Sequence, residues 1–249
     1  MAGNNKGKGS LVKAYRNTDF LGSPQARVIR LLSEYLEPEA RFERYNVEDT
    51  IVFFGSARAK SMDPDNPRMN AAYAAAEELA FRMTNWSKSL SHSKHRFIVC
   101  SGGGPGIMEA ANRGASRARG LSMGLGISLP MEQGINEFVS RELAIEFHYF
   151  FMRKFWFVYL SRALVVFPGG FGTLDELFEV LTLIQTHKAS RPRPVVLFGR
   201  EYWEKVVGWQ TLIEWGVIDR GDLDYFRIVD TVDEAYDHLT AELTRIHGL

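Results

Sequence analysis

Short apolar runs alternate with amphipathic segments along most of the chain. The apolar runs, several of which end at Gly or Pro, are Ile51–Phe54, Phe97–Cys100, Met123–Leu129, Ala163–Phe167, Val195–Phe198 and Phe226–Val229. Such runs are typical of strands buried on both faces of a sheet. The segments between them have helical periodicity: Asn70–Ser89, Ile107–Arg119, Phe150–Ser161, Leu174–Lys188, Tyr202–Trp215 and Val232–Ile246. The alternation predicts an α/β fold with a doubly wound, Rossmann-like, mostly parallel sheet and helices on both faces.

The N-terminal part of the chain has a different pattern. Residues 1–10 are polar and Gly-rich, which predicts a loose tail. Ser23-Pro24, followed by apolar residues at helical spacing, predicts an amphipathic helix that ends at Glu37-Pro38. We therefore expect a tail and helical extension over residues 1–48 and one Rossmann-like domain over residues 49–249.

The overall charge excludes some classes of partner. The chain has 30 Lys and Arg against 30 Asp and Glu, so no general basic field attracts nucleic acid or an anionic membrane. A single cysteine, Cys100, cannot form an internal disulfide, which fits a reducing cytoplasm. No signal peptide pattern and no run of ~20 apolar residues is present. We expect a cytoplasmic protein that binds neither nucleic acid nor membranes.

Two glycine-containing loops follow the first two candidate strands. Ligands of open parallel sheets bind beyond the carboxyl ends of the strands, where helix N-termini favour anions. Gly55 and Ser56 follow the first strand and could approach a ligand, although an ordinary turn explains them equally well. The second loop, Ser101–Gly106, leads directly into a helix and is suited to holding a phosphate through its backbone. Ile107 breaks the dinucleotide fingerprint, and no P-loop follows any strand.

A third glycine loop, Phe167–Glu176, raises two interpretations of Glu176. Thr173-x-x-Glu176 has the form of a capping box, in which both side chains would serve the helix start. Alternatively, Glu176, Glu179 and Thr182 recur every third residue on an otherwise apolar helix and could form a wall against a ligand. We favour the ligand wall, because a solvated face would usually be longer and carry lysines.

Two cations stand inside the aromatic segment Phe150–Phe157. Arg153 and Lys154 are costly to bury unless an anion meets them, although both could extend to solvent. The aromatic residues from Phe147 to Tyr159 exceed what one helix face can bury, which predicts self-association. The six histidines show no metal-site spacing, so we expect no metal.

Together, Gly102–Gly106, Met152-Arg153-Lys154 and Pro168–Glu176 resemble the motifs of the LOG ("lonely guy") family of nucleotide phosphoribohydrolases, often mislabelled as possible lysine decarboxylases. The resemblance covers roughly residues 50 to 230, and the N-terminal extension is similar to that of longer bacterial members. Phe171 stands where plant members usually have tyrosine, at a position that the motif leaves free.

The resemblance implies a nucleotide-binding catalytic domain that hydrolyses nucleoside 5′-monophosphates, of the AMP or cytokinin riboside type, to free base and ribose 5-phosphate. It implies that Arg153 and Glu176 are catalytic, that no cofactor is needed, and that the protein is a homodimer or larger homo-oligomer. The loops and the resemblance together predict the substrate-binding residues Gly55, Ser56, Gly102, Gly103, Gly104, Gly106, Glu132, Lys154, Gly169, Gly170, Gly172, Thr173, Glu179 and Thr182.

Two other functions are compatible with parts of this pattern. Molybdenum-cofactor carrier proteins resemble the family in fold and glycine loops, so a non-catalytic nucleotide or cofactor binding protein is the main alternative. Arg153 and Glu176 together favour the enzyme. True lysine decarboxylation would need a Schiff-base lysine for pyridoxal phosphate, and no cofactor signature surrounds Lys154 or Lys188.

Overall fold

The structure is a computed structural model that describes residues 11–90, 95–128, 134–189 and 192–249. Within these ranges, seven parallel strands form one sheet in the order β4-β3-β2-β1-β5-β6-β7. The strands are β1 (Thr50–Phe54), β2 (Ile98–Ser101), β3 (Ser122–Ile127), β4 (Ala144–Phe147), β5 (Ser161–Val166), β6 (Val195–Phe198) and β7 (Arg227–Val229). The predicted doubly wound α/β fold is confirmed.

Helices cover both faces of the sheet. They are α1 (Thr18–Gly22), α2 (Arg27–Arg44), α3 (Pro67–Ser89), α4 (Ile107–Arg117), α5 (Phe150–Leu160), α6 (Phe171–Gln185), α7 (Arg200–Val206), α8 (Trp209–Glu214) and α9 (Val232–His247). One buried cluster joins the sheet to α3, α4 and α9, and a second joins it to α2, α5, α6 and α7. In the described ranges no helix combines the length and the apolar character that a bilayer crossing requires.

Several element boundaries differ from the sequence-based predictions. Strand β4 was not predicted, because only two of its four residues are buried and its apolar run is interrupted by Glu146. The single helix predicted over Tyr202–Trp215 is two helices, since Val207 is extended and Gly208 starts α8. Helix α6 begins at Phe171, three residues before the predicted start at Leu174.

Helix α2 does not end at Pro38 but continues to Arg44, with Pro38 inside it. Proline has no N–H to donate to the carbonyl four residues earlier, which here is that of Glu34. The indole Nε1 of Trp156 donates to this carbonyl at 3.0 Å. A contact from a distant part of the chain therefore replaces the missing helical hydrogen bond. Buried Phe42 also packs edge-on against Trp156, so α2 shares the core of the sheet.

In the sheet, β1 lies between β2 and β5. The strands β2 to β4 follow one another on one side of β1 and the strands β5 to β7 on the other, so the order in which strands are added reverses at β1. Such a switch point opens a crevice beyond the carboxyl ends of the strands. The loops that follow β1 and β5 therefore meet at this edge of the sheet, where the N–H of Ser56 donates to the carbonyl of Pro168 at 3.0 Å.

Candidate active site

A cleft of about 640 Å³ lies at this switch point. Its walls are the loop after β1, the loop after β5 with the first turns of α6, one side of α5, and single residues from α4 and α7. The lining residues are Phe54, Gly55, Ser56, Ala57, Arg58, Met108, Phe150, Arg153, Gly169, Gly170, Phe171, Gly172, Thr173, Leu174, Asp175, Glu176 and Tyr202. The cleft therefore brings Arg153 and Glu176 together with Gly55, Ser56 and the third glycine loop.

The first turn of α6 forms one end of the cleft. Gly170 occupies the N-cap position, and no side chain caps this helix in the described structure. The N–H groups of an uncapped first turn, together with the helix dipole, favour a bound anion. Tyr202 of α7 donates its hydroxyl to the carbonyl of Gly169, which holds the loop in front of the helix.

The start of α6 at Phe171 excludes one of the two interpretations of Glu176, the capping box. Thr173 is the third residue of the helix rather than its N-cap, and Glu176 is the sixth, so the two side chains do not form the predicted capping box. Instead, the Thr173 side chain packs over Gly169, where an added Cβ would overlap its Oγ1. The capping-box interpretation is wrong, because the helix begins two residues before Thr173.

The Glu176 side chain is buried and lines the cleft, with 6% of its surface exposed. Burial raises the pKa of this carboxyl to about 7, although the charges of Arg153 and Lys154 oppose the rise. Among the described residues, its carboxylate has no hydrogen bond or ion pair in the structure. A carboxyl group in this environment changes protonation near neutral pH and is available to a molecule in the cleft.

Arg153 lies on α5 across the cleft from α6. Its guanidinium carbon is 5.2 Å from the ring centre of Phe157 and 5.8 Å from that of Phe150. An added Cβ at Gly102 would lie 2.9 Å from its Nη2 atom, so Gly102 leaves the space that this guanidinium occupies. Gly102 of the second loop and helix α5 thus both contribute to the position of this cation in the cleft.

Lys154, Glu179 and Thr182 lie outside the cleft lining. The Nζ of Lys154 is 2.9 Å from a Glu179 oxygen and 3.0 Å from Asp175, so it links α5 to α6. Thr182 is exposed and donates to the carbonyl of Phe178. Glu176, Glu179 and Thr182 are spaced three residues apart, which is less than the ~3.6 residues of a helical turn. Each successive side chain is therefore rotated further from the direction of Glu176.

The glycines of the second loop are buried and also lie outside the lining. Gly103 and Gly106 have positive φ angles of 72° and 74°. The N–H of Gly103 donates to Ser101 Oγ at 3.0 Å, and its carbonyl accepts from Asn136. An added Cβ at Gly106 would overlap the backbone of Ser56. In the structure, this loop joins strand ends and makes room for Arg153.

The cleft also contains residues that the sequence analysis did not select. Arg58, Met108, Phe150 and Tyr202 all line it. Arg58 could have been found from the sequence, since it directly follows Gly55-Ser56-Ala57. Tyr202 could not, because it reaches the loop from a helix that follows a different strand. Glu132 lies outside the described residues.

The described ranges contain no group of three or more His, Cys, Asp or Glu residues arranged to hold a metal ion. The charged side chains that line the cleft are those of Arg58, Arg153, Asp175 and the buried Glu176, and a helix N-terminus lies beside them. Such a set can bind a phosphorylated molecule and stabilise positive charge next to it.

Comparisons with known proteins agree with the fold. The molybdenum cofactor binding protein of Rippkaea orientalis is 18% identical, with a TM-score of 0.52 over 80% of this chain and 99% of that one. The structural genomics target TM1055 is 23% identical, with a TM-score of 0.54 over 78% and 99% of the two chains. No curated protein matches the sequence significantly.

The model of the family described as "Possible lysine decarboxylase" matches residues 108–239, which is more than half of the chain. The match contains Arg153 and the whole of the third glycine loop with Glu176. The protein therefore belongs to the "possible lysine decarboxylase" family, the LOG family that its motifs resemble.

Proposed function

We propose that this protein hydrolyses the N-glycosidic bond of a nucleoside 5′-monophosphate and releases the free base and ribose 5-phosphate. The substrate class is AMP or a cytokinin riboside 5′-monophosphate. The reaction takes place in the cytoplasm and requires no cofactor. Family membership and the fold support a nucleotide-related function, and the cleft chemistry supports this reaction within that class.

The observation that carries the proposal is the buried Glu176 carboxyl in the cleft, with a pKa of about 7. Cleavage of an N-glycosidic bond develops positive charge on the ribose. An ionised Glu176 stabilises that charge and accepts a proton from the attacking water. The water oxygen bonds to C1′ of the ribose and the bond from C1′ to the base breaks. The base takes up a proton from solvent, and Glu176 returns the proton of the attacking water to solvent, which restores the ionised carboxylate.

The cations of the cleft have complementary roles. Arg153 holds the substrate and stabilises the departing base or the reacting ribose. The N–H groups at the start of α6 hold the 5′-phosphate, since α6 begins in the cleft without a side-chain cap. Arg58, on the opposite wall, adds a positive charge for the same group.

The alternative is a non-catalytic nucleotide or molybdenum-cofactor carrier. The structural neighbour from Rippkaea orientalis binds molybdenum cofactor, but its 18% identity supports the shared fold alone. A carrier has no use for an ionisable carboxyl next to the bound sugar. The buried Glu176 beside Arg153 therefore favours hydrolysis.

Incubation with AMP, followed by chromatography for adenine and an assay for ribose 5-phosphate, tests the proposal. We expect both products in equal amounts, and AMP should be cleaved far better than adenosine because only AMP carries the anion for α6. Binding of AMP without release of adenine would favour the carrier, and equal turnover of AMP and adenosine would remove the role of the phosphate. A panel of nucleoside monophosphates then identifies the preferred base.

A further inference from the structure

We infer that Glu34, in the N-terminal helix α2, is a positioning residue for Arg153. Glu34 contacts α5 through both its side chain and its main chain, and these contacts fix the helix that carries Arg153. The kinetic part of this inference rests on the proposed function, because it requires Arg153 to act on a substrate. Glu34 lies in α2, outside residues 108–239 that the family description matches.

The Glu34 carboxylate binds the start of α5. Its two oxygens accept from the N–H of His148 at 2.8 Å and from the N–H of Tyr149 at 3.2 Å. Tyr149 is the N-cap of α5, and its own side chain makes no capping hydrogen bond. A carboxylate at this position satisfies N–H groups that would otherwise lack partners and interacts favourably with the helix dipole. Glu34 therefore supplies the cap from another helix.

The Glu34 carbonyl binds α5 a second time, two turns further on. Pro38 cannot donate to this carbonyl, and the Trp156 indole donates to it instead at 3.0 Å. Trp156 is almost fully buried, so the position of this hydrogen bond is set by the core. This one hydrogen bond satisfies both the Glu34 carbonyl, which Pro38 leaves without a donor, and the buried indole N–H of Trp156.

Arg153 lies between these two points of attachment. Its N–H donates to the carbonyl of Tyr149 at 3.3 Å, and Trp156 follows it three residues later. Arg30, one turn before Glu34, donates to the Tyr149 hydroxyl at 3.3 Å and strengthens the same junction. Two separate anchors define the translation and the rotation of a helix segment, so α2 fixes the direction in which the Arg153 side chain leaves α5.

Catalysis is sensitive to such positioning, since a displacement of ~1 Å can cost on the order of 100-fold in rate. We therefore expect Glu34→Ala to lower kcat for AMP by about 10- to 100-fold with a small change in KM. Glu34→Gln keeps one acceptor oxygen and should lose less. Trp156→Phe keeps the aromatic packing, removes the indole N–H and should also lower kcat. Glu43→Ala is the matched control, because Glu43 is an exposed residue of the same helix.

A double-mutant cycle separates positioning from general support of the fold. If Glu34 acts through Arg153, Glu34→Ala should lower kcat much less in an Arg153→Lys background than in the wild type, because the lysine has already lost the aligned guanidinium. An equal loss of kcat in both backgrounds would show that Glu34 only supports the fold. An unchanged kcat in Glu34→Ala would overturn the inference directly.

Amide hydrogen exchange tests the structural part without any activity. Glu34→Gln, and Glu34→Ala if it folds, should speed exchange in residues 148–156 while exchange in α9 stays as in the wild type. Unchanged exchange over residues 148–156 would refute the attachment. If the wild type cleaves no nucleotide but exchange over this segment rises, the proposed function fails while the role of Glu34 in fixing α5 remains.

Discussion

Glu176 is a buried acid that lines the cleft near the start of α6. It lies beyond the first turn of α6, and in the described structure its carboxylate has neither a hydrogen bond nor an ion pair. Burying an ionisable group in this way costs stability once the group is charged. Natural sequences retain such a cost mostly at functional sites. Both the cost of burying Glu176 and its position in the cleft therefore favour a role in acting on a bound molecule.

The substitution Glu176→Gln separates that role from stability. Activity toward AMP should fall by ~10²–10⁴-fold, as for a lost acid–base or electrostatic group. The folded-state pKa of about 7 is raised above the ordinary 4.5, so the neutral form stabilises the fold. This stabilisation is fully present below pH 4.5 and is lost as pH rises through about 7. A neutral Gln should therefore raise the unfolding free energy at pH 8, by on the order of 1–3 kcal/mol.

Thermal unfolding at pH 5 and pH 8, together with turnover of AMP, checks this prediction. The gain in melting temperature should be present at pH 8 and small at pH 5. Glu204→Gln, at an exposed position, should change neither quantity. A Glu176→Gln protein that retains more than about a third of the wild-type turnover contradicts the catalytic role.

Two glycines of the site differ in the space around them, which makes them a matched pair. Gly102→Ala should lower activity and stability, because its Cβ would lie 2.9 Å from Arg153 Nη2 and 2.6 Å from Met108 Sδ. Gly172 lies in α6 with no atom within 4 Å of an added Cβ. Gly172→Ala should raise stability by about 0.5–1 kcal/mol, because alanine favours the helix over glycine. It should also weaken AMP binding, because the added methyl group would stand next to the N–H groups that we propose hold the phosphate. Melting curves and KM for AMP test both; a stabilised Gly102→Ala would contradict the packing of Arg153.

Helices α5 and α6 act as a pair, and Lys154 joins them. Its side chain is 17% exposed and forms ion pairs with Asp175 and Glu179, which lie near Glu176 on α6. The sequence analysis assigned Lys154 and Glu179 to substrate. That assignment stays a prediction. In the structure the ion pairs of Lys154 join α6 to α5, and its positive charge lowers the pKa of Glu176.

Removal of the Lys154 charge should move the pH dependence of the reaction. The charge lowers the pKa of Glu176, so Lys154→Met should raise that pKa further above 7. Because the ionised carboxylate is the active form, the rise of kcat/KM with pH should shift to higher pH. Lys188→Met, at an exposed lysine, is the control and should leave the profile in place. A profile that Lys154→Met does not move would contradict the electrostatic coupling.

The outer surface formed by α2 and α5 exposes several large apolar side chains to solvent. Leu32 and Leu36 of α2 are 54% and 55% exposed, and Phe151 and Tyr159 of α5 are 57% and 52% exposed. A group of exposed apolar side chains on two packed helices is typical of an interaction site. This surface is where we expect self-association of the chain.

Self-association is tested by light scattering at micromolar concentration, where we expect a dimer or a larger assembly. Leu32→Lys should shift the protein toward the monomer, because burial of an ammonium group in an apolar interface is unfavourable. Val217→Lys, at an exposed apolar residue after α8, should not change the assembly. A wild-type monomer under these conditions would contradict the prediction.

The sequence by itself determined the alternating α/β architecture and the three glycine loops at strand ends, and the resemblance of its motifs singled out Arg153 and Glu176 as candidate catalytic residues. Strands buried on both faces leave continuous apolar runs, and glycines mark sharp turns, so these features are written locally. Strand β4 was not predicted because it is short and only half-buried, and Glu146 interrupts its apolar run.

Only the tertiary structure decided which predicted residues meet. It placed Glu176 beyond the helix start and in the cleft, turned Lys154 toward Asp175 and Glu179, and packed Gly106 against the backbone of Ser56 and Ala57. It also carried α2 through Pro38, because the Trp156 indole, 122 residues from Glu34, satisfies the carbonyl that proline leaves free. Local preference sets where a helix can begin or end, but contacts between distant residues add free energy that local sequence does not contain, and they decide the outcome.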